Sequence, residues 1–544
     1  MAHLMPGVPS SRLDRRPLRR MTLGLVLLVA ASLFLAEAKA QTDADSSGTF
    51  FDPAAADIFG QPAQPEEEEP SRWSQFWSEV SWNGYLKNET AYRFHEPRAI
   101  TKLRNIAYLN ARYPHSDTLK FNFAGWYYYD HAYDLFGYDT ISGRYERDEQ
   151  EPLVFIERLG EEEDSNVAEI RELYADVFLE GADLRVGKQY IIWGVLEGVR
   201  IVDEINPMDF REMILPDLLD YRIPLWSAKL DWFQGDNTYQ FIWIPDLRFH
   251  KPAPRGSEWE LLQNVCVGQA PEIICQESEP DSWTIEDSEV GVRFETYKWD
   301  TELTLSYFYT WDDFPVLFRA IPTDTTLLCG TQSEGEDDPQ CVNPAFFPTY
   351  TRIHMFGATG VRQMGRYILK GEFAYVLDKY FGIKNTVDED NNLFVDHDGV
   401  VPRDHIRWGL GIEFNIGGMD IAPGVTQWII LNHDKSMMQD KYDSSVNLFV
   451  RKELPAQAAV FQMLAIYLVN LEEFLLKPKM TFQIDDRFQM GVGFDLFFGR
   501  TSDFGVNQAI QSSSSTFDPS IARAQFIGNF HNNDRVYMDF KYSF

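Results

Sequence analysis

The sequence predicts an all-β fold, a transmembrane antiparallel β-barrel of about 18 strands (16–18) with one loop folded inward. Segments with alternating apolar and polar side chains recur along the chain, and the last of them ends at Phe544. Short turns and long loops alternate between these segments. Because strand side chains point alternately to opposite faces, each segment offers one face to lipid and the other to water.

Residues 1–40 are predicted to be a cleaved secretory signal. Arginines precede an apolar run over 21–36, and residues 38–40 read Ala-Lys-Ala, a small-x-small cleavage pattern. The apolar run is shorter than the roughly 20 residues of a spanning helix, which disfavours a membrane anchor. We expect 41–72 to be an acidic disordered linker, too polar to bury a core, and 73–544 to be the barrel.

The composition restricts the possible functions. The formal net charge of −34 argues against a nucleic-acid partner. The high content of Phe, Tyr and Trp, 15% of the chain, favours strands and the aromatic girdles of a membrane barrel. The chain has no C-x-x-C-H haem motif, Walker loop or G-x-S-x-G nucleophile elbow. We therefore expect no cofactor, no resident metal and no enzymatic activity.

The four cysteines are Cys266, Cys275, Cys329 and Cys341. Their spacing predicts two local disulfides, one within each neighbouring pair, which would suit an oxidising compartment. The alternative is that one or more of them stay reduced.

Alternating segments predict the strands. In the clearest, 488–496, every apolar residue falls on one face, and 476–484 follows the same pattern. The segment near 458 is equally compatible with a helix, because its polar residues do not alternate cleanly. Strands are expected to start near 84, 103, 118, 170, 183, 225, 237, 288, 301, 351, 367, 405, 420, 445, 458, 475, 487 and 535.

The lengths of the connections favour a barrel over a soluble sandwich. Turns such as 180–183 and 234–237 alternate with loops such as 246–287, 312–350 and 499–534. Short turns on one side and long loops on the other are typical of outer-membrane barrels, and a sandwich has no reason to segregate them. Only helices or closed barrels satisfy the backbone in lipid, and the sequence lacks apolar runs long enough for spanning helices.

The closing strand, 535–544, places Val536, Met538, Phe540, Tyr542 and Phe544 on one face. This ending is similar to the C-terminal signal of bacterial outer-membrane barrels. Phe544 is therefore the predicted assembly signal, to be recognised by the barrel-assembly machinery.

One long loop differs from the others because it is apolar without alternation. Such a segment, 194–224, would be unstable in water, so we expect it to fold into the barrel and narrow it, with its charges at the constriction. The alternative is a partly helical lid whose charges are solvated. The candidate constriction residues are Asp203, Glu204, Asn206, Asp209, Arg211, Glu212 and Arg222.

The polar faces of the strands predict the lumen wall. These faces carry both signs of charge in near balance, so they specify neither an anion nor a cation channel, and structural ion pairs are the alternative role. The candidate wall residues are Lys188, Arg293, Arg352, Arg407, Lys477 and Lys479.

A motif before and within this loop resembles a known family. The pattern G-K-Q-x-x-x-W-G over 187–194, followed by I-N-P-x-D over 205–209, resembles an uncharacterised proteobacterial outer-membrane family classed as a domain of unknown function. Members are often encoded near RND-type exporters and a lipoprotein-like periplasmic partner. The resemblance implies a barrel that moves hydrophobic compounds.

We therefore expect a porin-like outer-membrane channel of a Gram-negative bacterium, for passive or export-linked passage of small or hydrophobic solutes. Its expected partners are membrane lipid and lipopolysaccharide, and the resemblance adds a periplasmic exporter complex. The alternatives are a plugged adhesion or assembly barrel acting through its loops, and an outer-membrane hydrolase. A hydrolase needs a nucleophile with a histidine partner, and only His354 falls on a predicted lumen face, without an evident serine.

Overall fold

Alternating side chains along the chain organise one closed antiparallel sheet, as the computed structural model shows. The structure describes residues 72–137, 140–141, 166–196, 198, 200–253, 257–259, 274–275, 278–320, 345–383, 386–387, 393–394, 399–499 and 526–544.

Eighteen strands form the barrel. They are β1 Ser81–Arg93, β2 Ala99–Pro114, β3 Leu119–Asp130, β4 Asn166–Leu179, β5 Ala182–Gln189, β6 Leu225–Gln234, β7 Asn237–Ile244, β8 Glu289–Lys298, β9 Thr301–Trp311, β10 Arg352–Met364, β11 Tyr367–Gly382, β12 Val400–Ile416, β13 Met419–Ile430, β14 Tyr442–Leu454, β15 Ala459–Leu468, β16 Glu473–Gln483, β17 Phe488–Phe498 and β18 Arg535–Ser543. The predicted strands are all present, and the segment near 458 is a strand rather than a helix.

Each strand pairs with its neighbours in sequence, and β1 pairs with β18 to close the ring. This seam runs in register from Tyr85 opposite Ser543 to Arg93 opposite Arg535. Beyond the strand, Phe544 and Gly84 exchange two backbone hydrogen bonds of 3.0 Å. A side chain at Gly84 would meet the Phe544 ring at 2.8 Å, so glycine is needed there for the terminal ring to pack. Closure therefore gives each of the 18 described barrel strands a partner on both sides.

The two faces of the barrel have the predicted chemistry. In β18, Met538 and Phe540 are exposed on the outer face, and Phe540 keeps 46% of its surface accessible. Asp539, between them, points inward and is buried. An apolar outer face with a charged inner face is the pattern of a barrel that meets lipid outside and water inside.

Connections of different length lie at opposite ends of the barrel. Two-residue turns such as 180–181 and 417–418 join strands at the end where β1 begins and β18 finishes, whereas the other end carries the long connections such as 190–224, 245–288 and 499–534. The structure therefore confirms the predicted segregation for most connections, although 94–98 and 469–472 are short links at the end that carries the long ones.

A few small elements accompany the barrel. The helices are α1 Arg72–Glu79 and α2 Ala132–Phe136, and 3-10 turns occur at Pro455–Gln457 and Gly528–Asn533. Short strands at Ile274–Cys275, Val316–Ala320 and Ala345–Thr349 form one small sheet, and Thr386–Val387 pairs with Leu393–Phe394. In α1, Phe76 contacts Tyr113 and Trp77 stacks on Trp82. Within the described residues, no helix has the length and hydrophobicity to cross a membrane.

Candidate channel constriction

The connection 190–224, called here the inner loop, crosses the interior of the barrel. It leaves β5 and returns to β6, which are neighbours in the sheet. Its first limb nevertheless packs against distant strands, because Ile201 and Val202 join a buried cluster with Phe308, Met355 and Val376 from β9, β10 and β11. The apolar content of the loop is thus buried against the inner wall. The described residues of the loop contain no helix, and Asp203 and Arg222 are buried, whereas the lid alternative expects a partly helical segment with solvated charges.

A wall carboxylate fixes this first limb. Glu372, on β11, is buried and accepts backbone N–H hydrogen bonds from Val195, Leu196 (2.7 Å) and Val202 (3.1 Å). A carboxylate has enough acceptor sites for all three donors. Irregular backbone inside a barrel needs such partners, because a buried N–H without one is costly.

The residues of the loop motif hold the loop in shape. The Trp193 indole is buried against Phe308 and donates a 2.6 Å hydrogen bond to Gln240 of β7. Asn206 accepts a hydrogen bond from the Ile191 N–H and donates one to the Ile223 carbonyl, both at 2.8 Å. This amide therefore ties the outgoing and returning limbs of the loop together.

The second limb is anchored on the opposite wall. Met213 and Leu215 pack with Leu475 and Phe497 from β16 and β17. Lys477 donates a 2.7 Å hydrogen bond to the Leu215 carbonyl. The loop therefore spans the lumen between two apolar contact areas.

Between these areas the loop carries an ionic anchor. Glu212 forms ion pairs with Lys102 and Arg104 of β2, and Arg535 of β18 lies 3.9 Å away. Burial alone would raise the pKa of the Glu212 carboxyl, but the three cations hold it well below its usual value. This carboxylate therefore stays charged and bound to the wall at neutral pH.

A cavity remains between the inner loop and the wall of β1–β3 and β16–β18, and is called here the passage. Aromatic rings and charged groups from both sides line it, together with three residues of another long connection, 257–259. The lining residues are Lys87, Glu89, Thr90, Ala91, Thr101, Lys102, Arg104, Ile106, Trp126, Tyr128, Asp130, Tyr133, Asp209, Arg211, Glu212, Leu215, Pro216, Asp217, Asp220, Tyr221, Ser257, Glu258, Trp259, Lys479, Asp495, Arg535, Tyr537 and Asp539.

A family model described as a protein of unknown function (DUF1302) matches residues 101–388, more than half of the chain. The chain belongs to the DUF1302 family. The matched region includes the motif over 187–209, so the resemblance to a family of unknown function is confirmed. No curated protein matches the sequence of this DUF1302 chain.

The DUF1302 barrel is similar in fold to solved structures of low sequence identity. Acinetobacter baumannii OccAB2 has 10% identity and a TM-score of 0.45, covering 86% of this chain and 98% of that chain. A BenF-like porin from Pseudomonas fluorescens Pf-5 has 10% identity and a TM-score of 0.44, with 86% and 99% covered. Pseudomonas aeruginosa OccK9 (OpdG) has 8% identity and a TM-score of 0.45, also with 86% and 99% covered.

The predicted constriction residues of the DUF1302 chain fall into two groups. Asp209, Arg211 and Glu212 line the passage, and Arg211 binds Asp209 at 2.8 Å. The other group lies within the loop or against the wall, away from the passage. Its members are Asp203 and Arg222, which form a buried ion pair, Asn206, and Glu204, which lies 3.2 Å from Arg407.

The charge of Glu204 is maintained by its surroundings. Burial alone would raise the pKa of its carboxyl, but Arg407 and Arg200 lower it to about 2. Arg407 also lies over the Trp428 ring, with its guanidinium carbon 4.3 Å from the ring centre. The Glu204–Arg407 pair is thus a second charged attachment between loop and wall.

Most candidate wall residues face the lumen. Arg293 pairs with Glu295 at 2.9 Å, and Lys479 pairs with Asp539 at 2.9 Å. Arg407 and Lys477 bind the inner loop, as described above. These side chains pair with neighbouring acids or support the loop.

Two wall predictions need correction. Arg352 lies on the outer face, stacked on Tyr309 and Trp311 with its guanidinium carbon 4.6 and 4.1 Å from the ring centres. Its guanidinium donates hydrogen bonds to backbone carbonyls of the connection 245–288, so its charge is bound at the rim and not in the lumen. Lys188 also leaves its strand on the outer side, because it pairs in register with Leu173, which is exposed on the outer face. Its ammonium lies 3.7 Å from Glu169.

His354, the histidine considered for a hydrolase, also lies on the outer face. Its ring contacts Tyr307 and Tyr309, and the Tyr307 hydroxyl is 2.9 Å from its Nδ1. It therefore has no access to the passage.

Several residues that build the constriction are not among the predicted constriction residues. Glu372, Trp193, Arg104 and Glu258 are the main ones. Alternation places Glu372 and Arg104 on the inner face, but no local pattern indicates which loop reaches them. The disulfide prediction falls outside the described residues, which include only the backbone of Cys275 and none of the other cysteines. The predicted signal and linker, apart from Arg72 in α1, also lie outside them.

Proposed function

We propose that this DUF1302 protein is a porin-like channel of the outer membrane through which small solutes pass passively. Barrels of 16–18 strands enclose a lumen wide enough for water, and here the inner loop narrows that lumen. The observation that carries the proposal is the passage, a charged cavity that the loop leaves open beside the wall. Polar and ionic walls of this kind conduct hydrated solutes and discriminate by size and charge.

Two features support the outer-membrane location. The exposed apolar residues of the strands form an outer surface suited to lipid, and Phe544 closes the last strand on that surface. We propose outer-membrane lipid, lipopolysaccharide and the barrel-assembly machinery as partners on this basis. On the basis of the family resemblance, we also propose that solute passage is linked to export through a periplasmic complex.

The test is the conductance of the purified full-length protein in planar lipid bilayers. We expect discrete current steps whose size increases with salt concentration, because dissolved ions would carry the current through the passage. A correctly folded barrel that inserts without producing current steps would overturn the channel proposal.

One observation favours the plugged-barrel alternative. Trp259, Ile527 and Phe530, from two other long connections, pack with Met213 and Leu215 of the inner loop. If these contacts seal the lumen, the protein would act through its loops, as an adhesion or assembly barrel. The same bilayer experiment separates the two functions, because a sealed barrel gives no steps.

A further inference from the structure

We propose that the passage selects cations, and that its preferred solutes carry N–H donors, as primary ammonium groups do. This inference rests on the proposed channel function, because it concerns which solutes use the passage. It comes from the pairing of charges along the passage and from buried polar groups that lack partners there.

The basic groups of the passage are all neutralised by carboxylates. Six basic and nine acidic residues line it. Each base has an acidic partner on the wall or on the inner loop. The pairs are Lys87–Glu89 (2.6 Å), Lys102–Glu89 (3.4 Å), Arg104–Asp130 (3.3 Å), Arg211–Asp209 (2.8 Å), Lys479–Asp539 (2.9 Å) and Arg535–Asp495 (2.7 Å). An anion entering the passage would therefore have to break an existing ion pair to find a base.

Three carboxyl groups of the passage, those of Asp217, Asp220 and Glu258, make no ion pair with a described residue. Asp217 and Asp220 lie on a turn of the inner loop, closed by a 2.8 Å backbone hydrogen bond between them. Burial and the neighbouring Asp217 raise the pKa of Asp220. The opposing charges that act on Asp220 are Lys87, Arg171 and Lys541, from β1, β4 and β18, and Lys541 is itself held over an aromatic ring.

Glu258 is the buried member of this group, with 6% of its surface exposed. The charged and titratable groups around it are Arg93, Arg535, Glu212 and Tyr133. Arg93 donates its hydrogen bonds to backbone carbonyls, and Arg535 is bound by a wall aspartate. Burial raises the pKa of the Glu258 carboxyl to about 7, so a cation bound beside it would favour its charged form.

Buried hydroxyls lie in the same cavity. Ser257 Oγ and Thr101 Oγ1 are buried and have no hydrogen-bond partner within the described part of the chain. A hydroxyl oxygen accepts hydrogen bonds, and an ammonium group supplies three N–H donors together with its positive charge. A solute with such a group would satisfy the hydroxyls and the unpaired carboxylate at once.

Reversal potentials in planar bilayers test the charge preference. With full-length protein in a KCl gradient at pH 8, we expect K⁺ to permeate more readily than Cl⁻. The double substitution D217N/D220N should lower the K⁺/Cl⁻ permeability ratio by about twofold for each carboxylate, the effect of one charge at roughly 8 Å in water. D420N is the matched control, because Asp420 lies at a periplasmic-side turn and is no part of the passage, and it should leave the ratio unchanged.

The outcomes separate this inference from the channel proposal. Absence of current steps would refute the channel itself. Current steps with a K⁺/Cl⁻ ratio at or below one, or a ratio that D217N/D220N leaves unchanged, would refute the cation preference alone. If the double variant fails to fold, E258Q at pH 8 tests the same charge effect at an independent position.

The donor preference is tested with methylammonium and tetramethylammonium chlorides, because only the former has N–H donors. We expect the wild type to favour methylammonium, and S257A to reduce that preference by about twofold or more while K⁺ permeability is retained, as for loss of one weak hydrogen bond. An equal preference in S257A, S257A/T101V and the wild type would show that the hydroxyls do not recognise the solute.

Discussion

Removal of the wall carboxylate that holds the inner loop should open the channel without unfolding the barrel. In E372A, the N–H groups of Val195, Leu196 and Val202 lose their acceptor while remaining buried. Each unsatisfied N–H costs about 1–3 kcal/mol, so leaving the loop in place would cost roughly 3–9 kcal/mol. Detachment of the loop from the wall lets water satisfy these groups, whereas the strand ladder of the barrel does not depend on them.

The measurement is single-channel conductance together with limited proteolysis. We expect E372A to give larger and noisier current steps than the wild type, and new cleavage within 194–204. The isosteric E372Q should give a smaller effect, because its amide oxygen still accepts hydrogen bonds. E413Q is the matched control, since Glu413 is a neighbouring inner-wall carboxylate that pairs with Lys370 instead of the loop. Unchanged current steps and cleavage in a folded E372A barrel would refute the anchoring role of this carboxylate.

Three further predictions follow from the same geometry. E212Q removes the charge that binds three wall cations, so we expect more frequent current fluctuations, measured by noise analysis. Identical noise in E212Q and the wild type would contradict the ionic anchor. Because burial raises the pKa of Glu258 to about 7, this carboxyl is neutral at pH 6 and charged at pH 8. The K⁺/Cl⁻ permeability ratio of the wild type should therefore increase from pH 6 to pH 8. A rise of equal size in E258Q would show that Glu258 is not the group responsible. F544A removes the ring packed over Gly84 and should lower the yield of assembled barrel in membranes, measured by quantitative blotting of outer-membrane fractions; a wild-type yield would show that the terminal ring is dispensable.

The strands could be predicted from the sequence because their signal is local. In β17, the two-residue period of 488–496 alone determines which side chains face lipid, and the structure agrees. The inward course of the loop followed from its apolar content. The strands that the loop contacts could not be predicted, because contacts such as Leu196 with Glu372 join residues far apart in sequence. Alternation also fails at the rim, where Arg352 occupies an outer-face position beside aromatic rings and loop carbonyls.

Two residues of the loop motif stabilise the inner loop and do not line the passage. Trp193 and Asn206 belong to the family pattern, and both hold the loop in shape from buried positions. The charges beside them suggested selectivity, yet Asp203 and Arg222 neutralise each other inside the loop. Other charges of the loop do line the passage. Only three-dimensional packing distinguishes them from the buried charges, and the spacing of residues in the sequence does not predict that packing.

Excision of the inner loop tests the central claim most directly. Gln189 and Leu225 are paired neighbours in β5 and β6, so a short glycine-containing turn can replace 190–224 without straining the sheet. We predict that this barrel inserts into planar bilayers and conducts several times more current per channel than the wild type, because loss of the loop widens the lumen. A correctly inserted barrel with wild-type conductance would show that the loop does not narrow the channel.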